Sequence, residues 1–343
     1  MRHAARVSEQ ENSQSPATLS ILDLAFVGPG ETPADAFENS VVMAQRAEAA
    51  GYHRVWYAEH HNMASIASSA TSVLIAHVAA HTSTIRLGAG GVMLPNHSPL
   101  VIAEQFGTLA TLHPNRIDLG LGRAPGSDHT TMRAMRVDPM ASDQFPQDVL
   151  DLQGYFSGES RVTGVDAIPG SGTNVPLYIL GSSLFGAQLA AQLGLPYAFA
   201  SHFAPTHLLN AVAKYRNDFC PSEQLAEPYV IAGVNVIASD TDDDAQQQFL
   251  EVARRRVSRF LSVPRELSDD EADQILASPE GGQIAQMMHY AAVGTPDLVA
   301  RYLSNFAREA QVDELMTVHP SPSIAKRLRS IELTADARQS AAA

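Results

Sequence analysis

Four short runs in this chain concentrate residues able to hold an anion or move a proton: Glu59-His60-His61-Asn62, Gly90-Gly91-Val92 with Asn96-His97 downstream, Gly122-Arg123, and Gly181-Ser182-Ser183. An imidazole titrates near neutral pH, so either His60 or His61 suits general acid–base work. Residue type alone does not separate the two. Ser182 and Ser183 stand just before a helical pattern, where a helix start offers free backbone N–H groups, the positive end of the dipole, and hydroxyls that cap the helix or donate to an anion. Arg123 adds a planar fork that can grip a phosphate at two points. Either feature alone is ordinary; together on neighbouring strands they point to a bound phosphate. The Gly90-Gly91 pair removes side chains at a strand end, which suits either the close approach of a flat ligand or a tight turn with positive φ.

Two other chemistries fit poorly. The glycines at 120, 122 and 126 have the wrong spacing for a dinucleotide fingerprint, and Pro125 removes an amide donor. Glu59-His60-His61 invites a metal reading, but the His-x-His pair of barrel metallohydrolases is absent near the first strand, so no metal site is expected. His97, His202 and His319 also follow candidate strands, whereas His77 and His81 fall within a helical pattern and read as structural.

The elements that must position these residues alternate. Short apolar runs read as strands at 19–26, 54–57, 85–89, 116–120, 177–180, 197–200, 230–237 and 314–318. Helical patterns lie between and after them at 33–50, 67–80, 98–112, 142–157, 183–193, 205–219, 242–262, 296–310 and 322–333. Alternating βα units ask for a parallel sheet, and eight strands favour closure into a (β/α)8 TIM barrel. In such a barrel the site lies at the C-terminal ends of the strands, where all four runs fall. Two insertions break the alternation, at about 158–175 and 263–292. The second carries Pro264, an acidic run and Gly281-Gly282, and reads as a mobile lid. One barrel domain is expected over 19–335, between a flexible arm at 1–18 and a flexible tail at 336–343.

A formal charge of −14 argues against a nucleic-acid or anionic-membrane partner, and leaves room for a small anion held locally. The single cysteine, Cys220, excludes a disulfide framework within the chain, no apolar run approaches the roughly 20 residues needed to span a bilayer, and the polar N-terminus lacks a signal-peptide core. A cytoplasmic protein is expected.

The run from Leu19 to Gly126 resembles the bacterial-luciferase-like flavin monooxygenases, in their single-chain, alkanal-monooxygenase-like group. The motifs that carry it are Trp56-Tyr-Ala-Glu-His-His61, Gly90-Gly-Val-Met-Leu-Pro-Asn-His-Ser-Pro99 and Arg116-Ile-Asp-Leu-Gly-Leu-Gly-Arg-Ala-Pro-Gly126. It continues through Tyr178-Ile-Leu-Gly-Ser-Ser183, Gly194-Leu-Pro-Tyr-Ala-Phe-Ala200 and Val293-Gly-Thr-Pro296. The resemblance implies FMN as cofactor, with its phosphate against Arg123 and Ser182-Ser183, its ring over Gly90 and Gly91, and Val92, Gly122 and Gly181 completing the binding set. It implies a non-proline cis peptide at Gly90-Gly91 and assigns the catalytic base to His60 over His61. Gly122 stands where luciferase has a cysteine, so light emission is not expected. Reduced FMN and O2 would be cosubstrates, with the protein excluding water and orienting a small organic substrate. No NAD(P)H-binding domain is visible, so a separate flavin reductase is the implied partner, and a homodimer the implied assembly. The competing readings are an F420-dependent oxidoreductase of the same fold, a flavin-binding protein without turnover, and a metal-dependent barrel hydrolase.

Overall fold

The computed structural model describes residues 17–124, 128–260 and 267–342. Among these residues the strands are β1 (Thr18–Asp23), β2 (Arg54–Tyr57), β3 (Arg86–Met93), β4 (Ile117–Gly122), β5 (Leu177–Gly181), β6 (Tyr197–Phe199), β7 (Val230–Ala238), β8 (Ala291–Gly294) and β9 (Glu314–Val318). The helices are α1 (Pro33–Ala49), α2 (Thr71–Ala79), α3 (Pro99–Leu112), α4 (His129–Ala134), α5 (Phe145–Ser157), α6 (Leu184–Leu193), α7 (Leu208–Asp218), α8 (Asp242–Phe260), α9 (Asp269–Leu276), α10 (Pro279–Met287), α11 (Pro296–Ala310) and α12 (Ile324–Ala342). Every strand pairing is parallel, and β1 through β7 close on β1 through β9. The result is an eight-strand TIM barrel, as the alternation of elements predicts.

Side chains alternate between the two faces of this wall, because successive strand residues point to opposite sides. On β7, Val230, Ala232, Val234 and Val236 face the helix layer, while Ile231 joins Leu22, Trp56, Tyr178, Ala198, Met316 and Val318 in a cluster that fills the lumen. Ion pairs close the N-terminal end of the lumen. Arg54 Nη1 lies 2.7 Å from Asp118 and 2.6 Å from the Tyr178 hydroxyl, and Nη2 lies 3.1 Å from Glu314. Arg86 also pairs with Asp118, and the Tyr229 hydroxyl donates to Glu314 at 2.8 Å. Opposite charges balance there, two guanidinium groups against two carboxylates, and the mouth at the other end is left for chemistry.

Several features depart from the sequence expectation. The strand expected to end at Ala89 runs on through Gly90 and Gly91 to Met93, with a shift of register against β4 between Ala89 and Val92. A ninth strand, β8, lies outside the ring and pairs with the far end of β7, from Asn235↔Ala291 to Ala238↔Gly294. The expected lid contains two helices, α9 and α10, and shares a small core with α8, in which Val252 and Val257 pack with Ile284 and Met288. Arg254 adds ion pairs to Asp269 and Asp273. Residues 261–266, including Pro264, lie outside the described part, as does most of the N-terminal arm. The insertion at 158–175 is a series of turns without a strand, and the last helix continues past 333 to Ala342.

Candidate active site

At the C-terminal rim, β3 supplies the Gly90–Gly91 peptide, which is cis. Neither glycine has a positive φ, so a left-handed turn does not explain the pair. The packing of the chain itself does. A Cβ on Gly90 would lie 2.8 Å from Trp56 Cβ, and one on Gly91 would lie 2.7 Å from the carbonyl oxygen of Gly120. Val92 beside them is buried and pairs with Leu121; a Cβ on Gly122 would lie 2.9 Å from Met93 Sδ.

Glu59 is the hub of this rim, a role the sequence reading did not assign. Its carboxylate is buried and accepts from the Met93 N–H at 2.9 Å, from Asn96 Nδ2 at 3.3 Å, and lies 2.8 Å from His61 Nε2 and 2.9 Å from His97 Nε2. Burial favours the neutral acid, but His97, His61 and the Met93 amide together outweigh it and hold the group below the usual carboxylate range. The adjacent residues 59–61 thus divide their tasks. His61 turns to Glu59 and ties the β2 loop to the β3 loop; His60 is half-buried, and its backbone N–H donates to Ser68 O at 3.1 Å.

Across the mouth, His202 follows β6. β2 and β6 stand four strands apart in the ring of eight, on opposite walls. Its imidazole lies over Gly233, where a Cβ would meet Nδ1 at 2.2 Å. Its carbonyl accepts from Asn235 Nδ2 at 2.7 Å, and Asn235 Oδ1 in turn accepts from Arg256 at 2.9 Å. Burial first, then the charges of Arg256 and His60, push the His202 pKa down to about 3. His319, by contrast, is fully enclosed beside Ser330 and Thr317, at 2.8 and 3.1 Å, and serves the wall.

The residues expected to hold an anion come together between β4 and β5. Ser183 is the N-cap of α6, yet its hydroxyl makes no capping hydrogen bond, and its carbonyl accepts from the Tyr197 hydroxyl at 3.0 Å. The Arg123 guanidinium lies over the Phe185 ring, 4.0 Å from its centroid, which holds the exposed cation at the first turn of that helix. Gly181 ends β5, and a Cβ there would make only ordinary contacts, 3.8 Å from Gly186 Cα and 4.0 Å from the Tyr197 hydroxyl. Pro125 and Gly126 lie outside the described residues. A phosphate fits this donor set: a fixed guanidinium, an uncommitted hydroxyl and the free amides of a helix start.

This rim, on this barrel, belongs to a recognisable group, since the model of luciferase-like monooxygenases matches residues 18–314. The chain belongs to that family. It is 47% identical over 329 residues to a luciferase-like monooxygenase of Escherichia coli (strain K12), spanning 94% of this chain and 97% of the other. It is 32% identical to the N-acetyl-S-alkylcysteine monooxygenase of Bacillus subtilis (strain 168), over 93% and 97% of the two chains. The crystal structure of apo-MsnO8 superposes with a TM-score of 0.86 at 34% identity, covering 95% of this chain and 98% of that one. Two more distant structures share the fold. The oxygenating constituent of 3,6-diketocamphane monooxygenase from Pseudomonas putida, in complex with FMN, has a TM-score of 0.69 at 15% identity and covers 93% and 97%. An F420-dependent secondary alcohol dehydrogenase has 0.70 at 16%, covering 94% and 99%.

The Glu59 hub carries a pH prediction for this luciferase-like chain. A carboxylate whose pKa is lowered on folding adds stability above its unfolded pKa and loses it as pH falls through the folded value. Glu59→Gln should therefore destabilise the protein by about 1.5–3 kcal/mol at pH 7, and the gap to wild type should close as pH drops below the ordinary glutamate range. Urea denaturation at pH 7 and near pH 3 measures this; a gap that is constant with pH would show that the charge plays no part.

Proposed function

We propose that this chain is a flavin-dependent monooxygenase using reduced FMN and O2 to oxygenate a small organic substrate. The observation that carries the reading is the stacked Arg123 guanidinium beside the uncapped start of α6. When bound and reduced, FMN supplies the electrons that activate O2. Arg123, Ser182, Ser183 and the amides of the first turn of α6 would hold its phosphate beside Gly181, while Gly90, Gly91, Val92 and Gly122 would border the ring. His60 holds or moves a proton at its imidazole. Glu59 keeps the β2 and β3 loops in register through His61 and His97, and the apolar lumen excludes water from below.

A separate flavin reductase would deliver the reduced cofactor. The exposed Val73 of α2 with Val101 and Leu112 of α3 support a homodimer. Among the described residues no helix is long and apolar enough to cross a membrane, and Cys220 is free, which supports a cytoplasmic setting. A thioether is a reasonable first substrate to try, given the name of the Bacillus subtilis relative.

The test is a flavin titration. Arg123→Ala should weaken FMN by about 1.5–3 kcal/mol, the worth of a charge-assisted hydrogen bond, and riboflavin, which lacks the phosphate, should bind both proteins equally. Unchanged FMN affinity in the variant would remove the phosphate role. Parallel titration with F420 distinguishes the deazaflavin reading, which predicts tighter binding of F420 than of FMN.

A further inference from the structure

β7 is a buried, Val-rich and Ile-rich strand with one gap in it. Gly233 shares the lumen-facing parity of Ile231, so the inward position at the mouth is left without a side chain. The His202 imidazole fills that position from the neighbouring strand end, with Nδ1 only 2.2 Å from where a Gly233 Cβ would stand. Nδ1 is sealed from solvent and has no hydrogen-bond partner among the described residues. A buried imidazole nitrogen left unpaired by the protein is costly unless something else meets it.

The surroundings indicate what that is. Phe203 packs edge-on against His202, with ring centroids 5.0 Å apart, and is itself 48% exposed. It lines a groove of about 330 Å³ with Ala204, Pro205, Thr206 and, from α10, Gln283, Gln286 and Met287. This groove lies between the segment that follows β6 and α10, and neither Arg123 nor Ser183 lines it. Its walls mix Phe203 and Met287 with the Thr206 hydroxyl and the Gln283 and Gln286 amides, which suits a small molecule that is part polar and part apolar. The charged group nearest His202 is Arg256 of α8, which reaches its carbonyl through Asn235, and His60 faces it across the mouth. Both oppose protonation, so the ring presents one N–H and one lone pair and does not offer a positive charge.

We propose that His202 contacts the substrate, hydrogen-bonding an uncharged polar group such as a hydroxyl on a ligand that enters between residues 203–206 and α10. This identifies the specificity side of the monooxygenase site and rests on that reading of the mouth. The partner of His202 would be a group that both gives and takes a hydrogen bond, in preference to a carboxylate that demands a cation.

The experiment uses the full chain labelled with 15N-histidine and two probes of one shape, benzyl alcohol and toluene, with FMN titrated separately. Benzyl alcohol should bind at least tenfold more tightly than toluene and shift the His202 imidazole signal. That preference should persist from pH 5 to pH 8, because His202 stays neutral throughout. It should vanish in His202→Phe, which keeps a ring in place, and in Gly233→Ala, whose methyl displaces the imidazole without altering it. FMN affinity should be unchanged in both variants. Equal affinity for the two probes, binding of neither, or a preference retained in His202→Phe would overturn the proposal. If FMN fails to bind wild type while the alcohol preference follows His202, the flavin reading fails and the assignment of His202 stands.

Discussion

His60→Ala should lower turnover by about 10²–10⁴-fold, the usual contribution of a positioned general acid or base, with FMN affinity and folding nearly unchanged. His61→Ala should cost far less. The reason is geometric: His61 donates its effort to Glu59 at 2.8 Å, and Glu59 keeps His97, Asn96 and the Met93 amide when His61 is gone. His60 sits at a barrel mouth, where this fold places its chemistry, and faces His202 there. Steady-state oxygen uptake with saturating reduced FMN and a substrate that wild type oxygenates gives the comparison. Equal losses in the two variants, or a larger loss for His61→Ala, would move the proton-handling role away from His60.

Much of the barrel was legible because its signal is local. Each of the eight ring strands is an apolar run followed by a helical pattern, and that period survives in the sequence whatever the loops do. β8 was not legible, because Ala291-Ala-Val-Gly294 is short, half of it alanine, and gains its strand identity only from the overhanging end of β7. The Gly90–Gly91 pair was expected just past a strand that in fact runs through it, and it was explained by too few causes. What forbids side chains there is the protein's own backbone at Gly120 and the Trp56 side chain, contacts made by residues far along the chain in either direction and invisible to local reading. Glu59 stood in a quoted motif without a role, since nothing in Glu-His-His says that the first residue will be buried and hold the second histidine. His202 had a readable clue that went unused: a lone glycine at 233 in a run of Val, Ile and Ala signals close approach of another group. The stacking of Arg123 on Phe185 joins two motifs that sequence had already placed on neighbouring strands, and only the geometry adds the ring that fixes the cation.

The closed end of the barrel carries the largest expected effect on stability. Arg54 is almost wholly enclosed, its guanidinium 5.0 Å from the centroid of Tyr178 and 5.5 Å from that of Trp56. Burial disfavours its charge, yet Asp118 and Glu314 more than compensate and hold it protonated. Arg54→Met would leave Asp118 with Arg86 and the Trp56 Nε1–H, but Glu314, among the described residues, with the Tyr229 hydroxyl and no cation. Breaking one side of a buried pair typically costs about 3–5 kcal/mol, because the desolvation of the survivor is no longer offset. The exposed Arg46–Glu332 pair is the control: Arg46→Met should cost at most about 1 kcal/mol, since solvent screens both partners. Adding Glu314→Gln to Arg54→Met should restore part of the loss by removing the stranded charge, a coupling that two independent sites would not show. Urea midpoints for wild type, Arg54→Met, Glu314→Gln, the double variant and Arg46→Met decide it. If Arg54→Met unfolds no earlier than Arg46→Met, or if the double variant is simply the sum of its parts, the floor is held by apolar packing alone and its ion pairs are incidental.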